Sequence, residues 1–150
     1  MTRDCTPGRS FLPVLKDPGA PGWDRVFASH TFHEITMYYP MRCVRTRDHK
    51  LIWNLAHQLP YPIAGDIRRS PSWKAINSLP DGRVGGRTME QYLHRPEFEL
   101  YDLRTDPGDL HNLAQDPGQR ETLKHLKGEL EKMMRDTGDP WLGAIGEDSR

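Results

Sequence analysis

The sequence predicts an α+β domain in which an antiparallel sheet of about four strands packs against a C-terminal helix. Four segments, Val26 to Thr31, Met41 to Arg47, Lys50 to Leu55 and Phe98 to Leu103, carry alternating or β-favouring residues. One segment, Pro117 to about Thr137, sets Leu123, Leu126, Leu130, Met133 and Met134 on a single stripe at three- and four-residue spacing, with charge opposite. Its 150 residues make one ordinary domain, able to bury roughly 70% of the surface its unfolded chain exposes.

In chain order, residues 1 to 23 read as a linker, because Asp17 to Trp23 is too rich in proline and glycine for regular structure. The domain proper is expected over 24–142, with a disordered tail over 143–150. Val26 to Thr31 delivers His30, Phe32, His33 and Glu34 to the far end of a strand, where sites collect. Met41 to Arg47 and Lys50 to Leu55 flank Asp48-His49 as a hairpin. Between Ala64 and Pro96, Ser70 with Pro71 starts one short helix, and Thr88 caps another that runs to Leu93. Phe98, Leu100 and Leu103 bracket polar positions, as in a half-buried strand. Asp106-Pro107-Gly108 supplies a turn beyond it, and Leu110 and Leu113 pin the following loop. Asp116-Pro117-Gly118 reads as the start of the long helix, with Asp116 as N-cap and Gln119 closing a capping box. Gly138 and Pro140 stop that helix.

The 21 basic and 21 acidic residues cancel, so no global field favours nucleic acid or an anionic membrane. No apolar run approaches a membrane span, and Met1-Thr2-Arg3-Asp4 does not lead into a signal-peptide core. Cys5 and Cys43 lack the spacing of a disulfide framework or a zinc ribbon.

His30 to Arg42 is the richest functional stretch. A metal site built on His30, His33 and Glu34 is disfavoured, because on a strand the two imidazoles point to opposite faces and the helical His-Glu-x-x-His spacing is missing. His33 and Glu34 suit hydrogen bonding to polar ligand groups or to their own loop. Arg42 suits tying a carboxylate or carbonyls together, or presenting its fork to an anion. Pro80 to Arg87 lacks the Gly-Lys-Ser/Thr of a phosphate loop and reads as an exposed turn. Arg68, Arg69, Arg83, Arg87 and Arg95 form a solvated face or a grip on an anionic chain.

The run Leu100-Tyr101-Asp102-Leu103, followed by Asp106-Pro107 and then by Asp109 and Asn112-Leu113-Ala114, resembles the signature of the C-terminal subdomain of the sulfatase family. Gly8 to Leu15 resembles the segment late in sulfatases where the catalytic domain gives way to the C-terminal part. For that reason the Cys5-Thr6-Pro7-Gly8-Arg9 match to the sulfatase Cys-x-Pro-x-Arg pattern is read as coincidence. His33-Glu34-Ile35-Thr36-Met37 with Tyr39-Pro40-Met41-Arg42, Leu59 to Ile63, and Asp139-Pro140-Trp141 look closest to the heparan N-sulfatases within the family. The resemblance covers Gly8 to about Trp141. It implies the same α+β sandwich, with His33, Glu34 and Arg42 as substrate-binding residues and with no catalytic residue and no metal ligand on this chain. Calcium and the formylglycine nucleophile are implied for a catalytic domain that is missing from the sequence. The implied partners are that domain and a sulfated sugar, and enzymes of this type are secreted, periplasmic or lysosomal.

Three functions follow. The first, which the resemblance implies, is the C-terminal part of a heparan N-sulfatase-like enzyme, whether a fragment, a split gene or a truncated gene model, expected to complete the sugar pocket and brace the catalytic domain. The alternatives are a free-standing module that binds sulfated glycans, and an unrelated metal-dependent hydrolase built on His30, His33 and Glu34.

Overall fold

The computed structural model describes residues 9 to 145. Cys5 to Gly8 of the motif match, and the last five residues of the expected tail, lie outside them. Strands β1 (Arg25–Phe32), β2 (Tyr38–Thr46), β3 (His49–Asn54) and β6 (Phe98–Asp102) form one antiparallel sheet in the order β1-β2-β3-β6. A small ribbon, β4 (Arg83–Val84) with β5 (Arg87–Thr88), lies between β3 and β6 in sequence. The long helix α5 (Arg120–Asp136) follows a 3₁₀ turn at Pro117–Gln119. Shorter helices are α1 (Leu12–Lys16), α2 (Gly65–Arg69), α3 (Pro71–Ser78), α4 (Met89–Leu93) and α6 (Pro140–Ile145). Gly143, where the tail was expected to begin, thus lies within α6.

Strand register explains the core. Phe27, Val44, Leu51 and Leu100 lie in one row across the sheet, and Arg42, Trp53 and Phe98 in the next. Val44, Leu51, Trp53 and Leu100 pack with Leu126, Leu130 and Met134 of α5 as one buried cluster. Side chains of this size contribute about 1.5–3 kcal/mol each when fully buried, so the apolar stripe read from the sequence is what fixes α5 to the sheet. Lys127 lays its ammonium 5.1 Å from the Trp53 ring centroid and 4.9 Å from that of Phe98, closing the cluster from above. An ion pair from Arg25 to Glu129 ties β1 to the same helix.

The other face is covered unevenly. At β6, Tyr101 and Glu99 are buried, and Arg87 of the ribbon donates to the Tyr101 hydroxyl at 3.4 Å and to the Asp109 carbonyl. Leu110 sits tightly on the ribbon turn, where a Cβ on Gly86 would lie 2.5 Å from its Cδ2. At β1 nothing comparable is present among the described residues, and Val26 and Ala28 are exposed.

The half-buried reading of β6 is therefore corrected, since Glu99, Leu100, Tyr101 and Asp102 are all buried. Its outer edge is closed as well. Asn112 Oδ1 accepts from Leu100 N at 2.8 Å and from Ala114 N at 3.0 Å, and Asn112 Nδ2 donates to the Phe98 carbonyl at 3.0 Å. Leu113 N donates to the Leu100 carbonyl at 2.8 Å. One side chain and one backbone amide thus substitute for a fifth strand.

The capping box expected at Asp116 and Gln119 is not formed. Asp116 Oδ1 instead accepts from Gly118 N at 2.8 Å, because Pro117 to Gln119 wind as a 3₁₀ turn before α5 begins. A reciprocal capping box does form at α4, between Thr88 and Gln91. Ser70 caps α3 by accepting from Trp73 N at 3.1 Å.

Two stability outcomes follow. Asn112→Ala removes the acceptor for a buried amide and should cost about 1–3 kcal/mol in denaturant unfolding. Gly128 sits in the middle of α5, and a Cβ there would touch nothing within 4 Å. Gly128→Ala should therefore add about 0.5–1 kcal/mol, read as a melting temperature raised by a few degrees.

Candidate functional site

β1 loses register with β2 between His30 and Phe32, and the chain leaves the sheet there as a loop over 33–37. His33 and Glu34 stand on this loop, exposed, and Ile35 at its tip is 100% exposed. The loop is nevertheless turned back on itself, with Met37 N donating to the Glu34 carbonyl at 2.8 Å and Met37 buried beneath it. Glu34 Oε1 accepts weakly from Thr36 Oγ1 at 3.4 Å and from Gly65 N of α2 at 3.5 Å. The strand therefore brings His33 and Glu34 to the end of the sheet, and both present free polar groups to solvent.

Arg42 is placed differently. It lies on the α5 side of the sheet with a side chain only 3% exposed. Nε and Nη2 donate to Asp139 Oδ2 at 2.5 Å and Oδ1 at 3.1 Å as a two-pronged fork. Nη1 donates to the carbonyls of His30 at 2.9 Å and Met41 at 2.8 Å. The Trp141 ring lies 5.0 Å from the guanidinium carbon, and Trp141 Nε1 donates to the Tyr38 hydroxyl at 3.2 Å. Burial works to raise the Asp139 carboxyl, but the bonds from Arg42 and from Trp141 N outweigh it and hold it below the ordinary carboxylate range. The arginine thus ties carbonyls and a carboxylate together inside the protein. Its partner was missed, although a strand arginine facing a core calls for a carboxylate, and Asp139-Pro140 is the nearest helix start to α5.

A second polar group was also missed. Glu99 is 4% exposed on the face away from α5 and accepts from the Tyr101 hydroxyl and from Asn54 Nδ2 at 2.7 Å. Arg95 lies 3.7 Å from the same carboxylate, over the Tyr61 ring. Burial pushes the neighbouring Tyr39 phenol up to about 12, with Arg95 opposing. Alternation in the sequence marks Glu99 as an outward position and carries no sign that the ribbon and loop would cover it.

Of the five candidate arginines, Arg83 donates to the Gly86 carbonyl, Arg87 is bound at Asp109, and Arg95 is stacked on Tyr61. Arg68 and Arg69 remain exposed on α2. Among the described residues no group of three His, Cys, Asp or Glu side chains converges to hold a metal ion. His30 Nδ1 instead lies 3.0 Å from the Tyr39 carbonyl. Cys43 is half-buried mid-strand, where burial pushes its thiol up. The described residues therefore do not fit calcium or a formylglycine. No helix among them is long and apolar enough to cross a membrane.

Arg42→Ala should destabilise by about 3–5 kcal/mol, because it strands the Asp139 carboxylate in a nearly buried site. The pH dependence has a fixed sign. Asp139, held below its unfolded value, contributes stability above about pH 4 and loses it as pH falls through its lower folded value. The gap in melting temperature between the parent chain and Asp139→Asn should accordingly be widest above pH 4 and narrow in stronger acid.

No family model matches the chain. Human N-sulphoglucosamine sulphohydrolase is 39% identical over 140 residues, which is 91% of this chain and 28% of that protein. A putative sulfatase from Bacteroides thetaiotaomicron superposes with a TM-score of 0.57 at 18% identity, covering 94% of this chain and 22% of that one. BT4656, solved with its substrate D-glucosamine-2-N,6-O-disulfate, gives a TM-score of 0.55 at 19% identity over 93% and 22%. The chain thus spans less than a third of each of these proteins, and the two structures speak to the fold alone. The kinship in sequence and the four-stranded sheet with its helices together place the chain in the sulfatase family, as a C-terminal subdomain.

Proposed function

We propose that the chain serves a sulfatase that acts on an N-sulfated or O-sulfated sugar, completing its substrate pocket with His33 and Glu34 and bracing its catalytic domain. The observation that carries this reading is a loop that exposes an imidazole and a carboxylate while both of its feet are anchored. His30 is held through its carbonyl by Arg42, and Tyr38 through its hydroxyl by Trp141. A loop whose backbone is anchored in this way can present these groups to sugar hydroxyls, an amine or a sulfamate with less ordering of the chain to undergo. Arg42, grouped with them in the sequence reading, acts from behind, because its donors are already taken.

The bracing role rests on apolar surface. Phe11, Leu12 and Leu15 of α1 are each more than half exposed, and so are Val26 and Phe32 of β1. Large exposed apolar groups of this kind suit docking, and their occupant in this reading is the catalytic part, which accounts for most of the length of the relatives. Calcium, formylglycine and the cationic cage for the departing sulfate belong to that part. The free-standing glycan binder is the weaker reading, since three of the five arginines that would grip an acidic chain are engaged internally.

In the complete enzyme, His33→Ala or Glu34→Ala should lower turnover of an N-sulfated glucosamine substrate by about 10-fold or more, the loss of one or two positioned hydrogen bonds, with melting temperature nearly unchanged. Equal losses of stability and activity would make the loop a structural anchor. The chain alone should release no sulfate from the same substrate even with calcium and a formylglycine-generating enzyme, and light scattering should show it self-associating. Sulfate release that disappears in Cys5→Ala would overturn that expectation.

A further inference from the structure

The bonds around Arg42 form a relay across 97 positions of sequence. Asp139 holds two donors of the guanidinium, and the remaining Nη1 reaches the carbonyls of His30 and Met41. Because the guanidinium is planar, two bonds to one carboxylate fix its plane, and the plane fixes where Nη1 points. At 3% exposure there is little water to replace either partner. His30 is the residue at which β1 departs from register, so the carbonyl that Nη1 holds is the first foot of the 33–37 loop. Two residues past Asp139, Trp141 holds the second foot at Tyr38, and its own backbone N–H donates to Asp139 Oδ1 at 3.1 Å.

We infer that the start of α6, Asp139 together with Trp141, is the positioning element of the His33–Glu34 loop, Asp139 acting through Arg42 and Trp141 acting directly. Neither residue touches the sugar. Their effect is to keep the loop in one place, and what the loop then does rests on the function proposed above.

Hydrogen exchange on the full 150-residue chain tests this without any sugar. In Asp139→Asn, the Met37 amide, which reports the loop's own turn, should exchange about 10-fold faster or more, while amides of β3 and α5 stay within about 2-fold. Asp139→Glu, which keeps a carboxylate for the fork, should recover most of that protection. An unchanged Met37 amide would overturn the inference, and so would a rise shared equally by β3 and α5, since that is general loosening. If Asp139→Asn does not fold, Tyr38→Phe decides. It removes only a hydroxyl from a half-exposed ring, and it should speed Met37 exchange by about 3-fold, the worth of one exposed hydrogen bond; no change would overturn the inference. Loop exchange unmoved by Asp139→Asn, beside lost turnover in the Glu34 variant, would sink the positioning role alone. A loosened loop beside undiminished turnover in that variant would sink the sugar contact alone.

Discussion

A four-stranded sheet has two faces to bury, and this chain has one long helix to do it with. α5 closes one face over β2, β3 and β6, where Val44, Leu51 and Leu100 are 0% exposed in one cluster with Leu130 and Met134, and it leaves Phe27 of β1 39% exposed in the same row. The opposite face is left to short elements, which cover β6 and, through Tyr61, Tyr39 of β2. Arg87 of the ribbon reaches the Tyr101 hydroxyl and Arg95 lies 3.7 Å from Glu99 at β6, whereas β1 keeps Val26 and Ala28 in solvent. An apolar edge strand left open in this way invites association, and the asymmetry gives the molecule a finished side and an unfinished one.

The finished side explains the residues of the sulfatase-like signature. Asp106 accepts from Leu110 N and His111 N, both at 2.7 Å, which folds the chain back after β6. That return brings Asn112 alongside β6, where its amide satisfies the strand's outer edge, and puts Leu113 and Ala114 against the core. Each residue has a separate task. The aspartate makes the turn, the asparagine mimics a neighbouring strand, and the leucine and alanine anchor the result. Such a run reports how a sheet is terminated and carries no chemistry of its own.

The fold was legible because it rests on periodicity. The four strands fall within about three residues of their expected starts, and the stripe on α5 faces the sheet as its spacing requires. What escaped the sequence depends on contacts between distant segments. Glu99 alternates with Leu100 as an outward residue would, and nothing local reveals that Asn54, Arg95 and the Tyr101 hydroxyl will enclose it. α2 and α6 are too short for a periodic signal. Gln119 has the right spacing for a capping box, but proline at the preceding turn favours a tighter winding. For the candidate site, the exposure of His33 and Glu34 at a strand end could be read in advance, while the clamp behind them could be read only in half, as an arginine in want of a carboxylate.

The clamp lies where the two sides meet. Arg42 is in the second strand from the open edge, on the face covered by α5, and its donors reach outward to the carbonyl that ends regular pairing in β1. A buried ion pair is a poor source of net stability, because desolvating both charges offsets most of their attraction, and an apolar pair of similar volume often does as well. It differs from an apolar pair in direction. Leucine packing tolerates rotation and slip, whereas a planar fork on a carboxylate permits one orientation. A clamp of that kind is ill suited to strengthening the core and well suited to transmitting the core's rigidity into a loop that must stay exposed. The same comparison accounts for its position at the edge of the apolar cluster and not at its centre, where Leu130 and Met134 already supply the stability and no loop needs to be aimed.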